Sequence, residues 1–131
     1  MIGIDTNVLL RYLTQDDPVQ FAKAEQFLDS LTPQRPGFIS LITFTELYWV
    51  LDHSFKLSRA EICRTLEELL SSASLLFEQR ELVTQALSSY RTGKADLDDY
   101  LIAACARLAG CEHIVTFDLV AIKSGLMQQL I

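Results

Sequence analysis

Three cysteines, Cys63, Cys105 and Cys111, are all this chain of 131 residues holds, with no Cys-x-x-Cys or Cys–His spacing among them. Such a set builds neither a disulfide frame nor a zinc site. It reads as small core hydrophobes in a reducing compartment, which points to the cytoplasm. Five glycines and three prolines leave no low-complexity stretch and no long linker, and no internal repeat is visible. No window approaches the roughly 18 uninterrupted apolar residues that a membrane span needs. The opening MIGIDTNVLL lacks a basic leader and is broken by Asp5, so it does not read as a signal peptide. Basic residues are few: eleven against seventeen acids, for a formal net charge of −6. A general nucleic-acid coat protein carries the opposite sign. Any contact with nucleic acid would be local, with metal ions offsetting part of the chain's own charge. No G-x-S-x-G and no Cys–His–Asn pattern supports nucleophilic catalysis. Basic residues are not interleaved with aromatics, so sequence-specific readout has no signature. His53 and His113 have no metal spacing; a strand position is expected for His113 and a surface or interface position for His53.

What the chain does have is core material. Half of its residues are apolar and 21% are charged, enough for one compact domain. Residues 2–5 read as a short buried strand ending on Asp5, after which Thr6 or Asn7 can cap a helix, VLLRYLT. Asp17-Pro18 opens a second helix, with Phe21, Ala24, Phe27, Leu28 and Leu31 as its apolar stripe. TPQRPG stops it. Residues 38–42 form a second strand-length run, and TFTELYWVLDHSF follows with helical periodicity. Ser58 and Glu61 fit a capping box. Residues 75–78 suit a third strand, followed by a helix that Gly93 ends. A further helix over 96–109 closes at Gly110, 113–118 is a fourth strand, and a short tail follows. Apolar strands alternating with helices predict an α/β fold: a three-layer α/β/α sandwich with a short, mostly parallel central sheet. Ligands in such folds sit beyond the carboxyl ends of the strands. Asp5 and Asp118 both end strands and are expected at one edge of that sheet.

Three more carboxylates stand out. Glu46 lies within ISLITFTELYWVL, where a lone carboxylate is costly unless it meets water, a partner or a metal. Asp96 and Asp99 are three apart on a predicted helix and should share a face, with Asp98 pointing elsewhere. Asp99 leads into YLIAACARLA, expected to be almost wholly buried. Each acid has a structural reading as well: Asp5 as a helix cap, Glu46 reaching solvent, Asp96 and Asp99 favoured by a helix dipole, Asp118 in a turn. Taken singly these suffice. They do not account for strand-terminal acids at one edge, or for acids on apolar elements. Converging carboxylates suit a hard divalent cation such as Mg2+ or Mn2+. Such ions can bind a phosphodiester, lower the pKa of water and stabilise a leaving oxygen.

The segments IGIDTNVLLRYL, TFTELYWVL, DLDDYLIAACARLAGC and IVTFD resemble the PIN-domain ribonucleases, in particular the VapC toxins of toxin–antitoxin pairs. The resemblance runs from Met1 to about Ser124. It implies one PIN-like nuclease domain over 1–131 and a catalytic set of Asp5, Glu46, Asp99 and Asp118. Asp96 joins these as a metal ligand, with Mg2+ as cofactor and Mn2+ an alternative. Thr6, Asn7 and Thr116 would orient carboxylates, water or phosphate, and Arg11 and Lys94 are candidates for phosphate contact. The family further implies an RNA substrate, a VapB-type antitoxin and a homodimer. Phe44, Tyr48, Trp49, Phe55 and Tyr90 either fill the core, Phe44 and Trp49 above all, or contribute to such an interface. Two other readings keep the family: a catalytically silent RNA- or protein-binding module, and a solitary RNA-processing nuclease. An aspartate-nucleophile phosphatase would need an acid where Asn7 stands. A receiver domain would need an aspartate where the third strand offers LLFE.

Overall fold

Gly37 leaves no room for a side chain: a Cβ there would lie 2.5 Å from Ile4 Cδ1 and 2.9 Å from Leu31 Cδ1. It begins β2 (Gly37–Ile39), the middle strand of a parallel ladder between β1 (Ile2–Gly3) and β3 (Leu75–Phe77). The computed structural model describes all of residues 1–131, and the chain divides into two compact units, Met1–Gln79 and Arg80–Ile131.

In the first unit, parallel pairing requires crossovers, and helices supply them. α1 (Thr6–Thr14) and α2 (Pro18–Asp29) join β1 to β2; α3 (Leu41–His53) and α4 (Arg59–Leu70) join β2 to β3. Asp17 caps α2 ahead of Pro18, accepting from the amides of Val19 and Gln20, and Ser58 with Glu61 forms the expected capping box on α4. Glu78 accepts from the Leu41 amide at 2.8 Å, tying the end of β3 to the start of α3. Leu9, Ile39, Phe44, Leu47, Tyr48, Leu51, Ile62 and Leu66 are fully buried, and Phe44 meets Phe77 edge to face at 6.2 Å.

The second unit is built on α5 (Arg80–Thr92) and α6 (Leu97–Ala109), which pack together. Leu82, Val83, Ala86, Leu87 and Tyr90 form the buried stripe of α5. Gly93 is required next: a Cβ there would collide with the Tyr100 hydroxyl. Gly110, at φ 87°, closes α6 in the left-handed conformation that suits glycine. β4 (Val115–Thr116), α7 (Leu119–Lys123) and β5 (Gln128–Gln129) follow, with β4 and β5 paired in parallel.

The α/β class and the short parallel strands agree with the sequence reading. Several details do not. The fourth strand belongs to its own ladder with β5, so Asp5 and Asp118 do not end strands of one sheet. The polar Gln128–Gln129 gave no strand signal, and His113 precedes β4 instead of lying in it. α6 is not wholly buried: Ile102, Cys105 and Leu108 are exposed, since a helix long enough to bury one face turns another outward. Only Cys63 is a core cysteine, Cys105 and Cys111 being exposed, and Trp49 is 49% exposed while Phe44 is buried. No helix is long and apolar enough to cross a membrane.

Candidate active site

In the second unit the acids gather at the start of α6. Asp96 is its N-cap, in extended conformation (φ −75°, ψ 158°), and makes no side-chain capping hydrogen bond. Asp98 and Asp99 occupy the first turn. One carboxylate oxygen from each of Asp96, Asp98 and Asp99 lies within 4.8 Å of the others. Asp98 was expected to point away. That expectation assumed Asp96 to be helical; as an extended cap it does not follow the helical repeat. Asp98 Oδ1 also accepts from the Asp99 amide at 3.1 Å.

Crowding has an electrostatic consequence. Asp99 holds its proton above the ordinary carboxylate range, first because it is partly buried and then because Asp98, Asp118 and Asp96 are negative beside it; a backbone hydrogen bond at Asp96 opposes the rise. Asp118 thus acts on the same carboxyl from the start of α7. Its Oδ1 accepts from the amides of Val120 at 2.8 Å and Ala121 at 3.2 Å. Thr116 Oγ1 accepts from the Asp118 amide at 3.0 Å and fixes the turn that carries it. Lys94 is exposed, two residues before Asp96. An all-carboxylate oxygen set of this spacing fits a hard divalent cation, not a soft one.

In the first unit, Asp5 lies two residues beyond β1 and caps α1, its Oδ1 accepting from the Thr6 amide at 2.9 Å. Asp5, not Thr6 or Asn7, is therefore the N-cap. Asp5 and Asn7 are exposed. Thr6 is 4% exposed, and its hydroxyl is buried with no hydrogen-bond partner. A buried hydroxyl left unsatisfied beside an acid is the kind of orphan that a bound ion's water or a substrate oxygen would satisfy. Glu46 is exposed on α3, in an apolar hollow with Leu41, Ile42, Thr45 and Trp49. Trp49 stacks on His53 at 4.4 Å, which makes His53 a surface residue as expected.

Arg11 is held from two sides. Its Nε donates to Gln20 at 2.7 Å, and its Nη1 faces both Asp16 oxygens at 3.2 Å. Sequence reasoning missed Asp98, and it missed Gln20 and Lys23, which line a cavity with Asp5 and Arg11. Their signal was present: Gln20, Lys23, Ala24 and Phe27 recur at the spacing of one helix face.

The PIN domain family model matches residues 2–123. The chain is also similar to a VapC ribonuclease of Aquifex aeolicus (strain VF5), with 25% identity over 115 residues, 87% of this chain and 84% of the relative. The family match runs through both units and includes Asp5, Glu46, Asp96, Asp99 and Asp118. This chain belongs to the PIN domain family.

Proposed function

We propose that the protein is a metal-dependent endoribonuclease, the toxin of a type II toxin–antitoxin pair, built as one PIN domain over 1–131 and acting in the cytoplasm. Support comes from the family match and from the name of the VapC relative. The observation that carries the chemistry is the carboxylate trio at the start of α6, where Asp99 is held protonated more readily than an ordinary aspartate.

The acids assigned to the metal are Asp5, Glu46, Asp96, Asp99 and Asp118, with Asp98 added on its position in the trio. Mg2+ or Mn2+, when bound, would polarise an RNA phosphodiester and make water more acidic. The remaining work falls to the chain's own groups. Asp99, Asp98 and Asp96 concentrate negative charge that a cation would relieve. Thr116 holds the backbone of Asp118, so that one oxygen caps α7 while the other stays available. Thr6 offers a buried hydroxyl and Asn7 an exposed amide beside Asp5. Lys94 remains a candidate for phosphate contact. A homodimer and a VapB-type antitoxin are the proposed protein partners; each unit leaves apolar side chains exposed that a partner would cover, Ile42 and Trp49 on α3 of the first and Ile102 and Leu108 on α6 of the second.

The test is cleavage of labelled RNA with Mg2+ against EDTA, for the wild type, Asp5→Asn and Asp99→Asn. Asparagine can still cap α1, so Asp5→Asn should keep its circular dichroism and lose cleavage at least about a hundredfold. Metal-independent cleavage, or full activity in both variants, would sink the assignment. A folded wild type that binds RNA without cutting it would favour the silent binding module. Cleavage in a protein with no antitoxin would favour a solitary RNA-processing nuclease.

A further inference from the structure

α1, α2 and β1 of the first unit surround a cavity of about 670 Å3 whose lining includes Asp5, Arg11, Gln20, Lys23 and Phe27. That volume falls in the range of small-ligand clefts. Its walls are tied to one another. The rings of Tyr12 on α1 and Phe21 on α2 stack at 6.0 Å. The Arg11–Gln20 hydrogen bond crosses from α1 to α2, and Asp16 holds the same guanidinium from the connecting turn. The cavity is pre-formed.

Its chemistry is unlike that of the rest of the chain. Net charge is −6 overall, yet of the three ionisable groups lining the cavity two are cations, Arg11 and Lys23, against Asp5. Arg11 is neutralised by Asp16, but a guanidinium has five N–H donors and not all of them are spent. Lys23 is exposed and forms no ion pair. Phe27 and Ala24 add an apolar wall. A cation, planar donors and an apolar wall suit a phosphate attached to a flat heterocycle. An extended peptide suits them less. β1 is an edge strand, but at two residues it is too short to template an added strand.

We propose that this cavity is a nucleotide subsite, taking one nucleotide of the RNA substrate beside Asp5. Lys23 meets its phosphate, Gln20 and the spare Arg11 donors meet the base edge, and Phe27 meets the base face. The proposal rests on the ribonuclease reading, because Asp5 lines the same cavity.

The experiment measures the anisotropy of a fluorescein-labelled RNA octamer in EDTA at low salt, followed by steady-state cleavage in Mg2+. Lys23→Ala should weaken binding about 5–10-fold and lower the slope of log K against log salt by about 1. It should raise KM by the same factor with kcat within about twofold. Lys23→Arg should restore both. Arg35→Ala, which removes an exposed charge elsewhere in the unit, should change neither. Unchanged binding and KM in Lys23→Ala, with a wild type that cuts RNA, would overturn the subsite and leave the ribonuclease reading standing. Lys23-dependent binding without cleavage would do the reverse. Lysine acetylation read by mass spectrometry adds a second arm. RNA should shield Lys23; polyglutamate that shields it and displaces RNA equally well would make the cavity an acidic-peptide groove and refute the proposal.

Discussion

Asp99→Asn tests whether the trio at the start of α6 is a cost to the metal-free protein, as a metal site should be. Two like charges 4.8 Å apart repel by about 0.9 kcal/mol at the dielectric constant of water, the appropriate limit for partly exposed carboxylates. Asp99 faces Asp96 and Asp98 at no more than that distance, so removing its charge relieves about 2 kcal/mol at low salt. The variant also forgoes the attraction of a first-turn acid to the helix dipole, about 0.3–1 kcal/mol. The net expectation is a gain of about 1 kcal/mol at low ionic strength. At 0.15 M salt, with a Debye length of about 8 Å, the repulsion is roughly halved and the gain nearly disappears. The pH dependence has a definite sign. Asp99 is raised above its usual value of 3.8 in the folded protein. Below that value both states carry the proton and nothing is lost; as pH rises through the raised native value, the folded state loses stability. Asparagine escapes this loss, so its advantage should be full near pH 8 and shrink towards pH 4. Urea denaturation in EDTA, followed by circular dichroism at 20 mM and 500 mM salt, reads it as a midpoint about 0.5 M higher at low salt. A variant less stable than wild type at pH 8 and low salt, or a gain indifferent to salt, would refute the reasoning.

Mg2+ or Mn2+ at ten times its dissociation constant should stabilise the wild type by about 1.4 kcal/mol in the same assay, and the combined Asp96→Asn, Asp98→Asn, Asp99→Asn variant should show no such rise. Thr6→Val removes a buried hydroxyl that has no partner; it should raise stability by up to about 1 kcal/mol while lowering RNA cleavage, and loss of both would make the hydroxyl merely structural. Gly93→Ala places a methyl against the Tyr100 hydroxyl and the Ser89 carbonyl; it should cost about 1–3 kcal/mol as an overpacked site and, because Tyr100 adjoins Asp99, weaken divalent-ion binding as well.

Local signals were legible where one residue type has one structural use. Asp17-Pro18, the Ser58–Glu61 box and Gly110 are each fixed by hydrogen bonding or backbone geometry within a few residues, and each is found where the sequence puts it. The apolar runs gave all four expected strands, shortened. What escaped depended on pairing partners and on side-chain direction. Gln128 and Gln129 form β5 through backbone bonds from Gln128 to Ile114 and from Leu130 to Thr116, which carry no side-chain signature. Asp98 entered the trio because the cap residue before it is extended, a rotation that spacing does not encode. Cys105 and Trp49 are exposed because hydrophobicity sets a preference for burial without deciding which face of a helix receives it.

The structural and the chemical readings of these acids are less opposed than they look in the sequence. Asp5, Asp96 and Asp118 are all N-caps, of α1, α6 and α7. A helix N-terminus supplies partial positive charge and unpaired amides, so it steadies a carboxylate when no cation is near. The cap also leaves capacity unused: Asp5 and Asp118 each accept through Oδ1. Asp5 and Asp118 therefore each keep Oδ2 for a ligand while their backbone positions are fixed by the helices they start. An acid held this way would be oriented before a metal bound, and the charge it adds is partly offset without one. Capping is thus how the fold can carry a cluster as crowded as that around Asp99 without losing the helix that presents it.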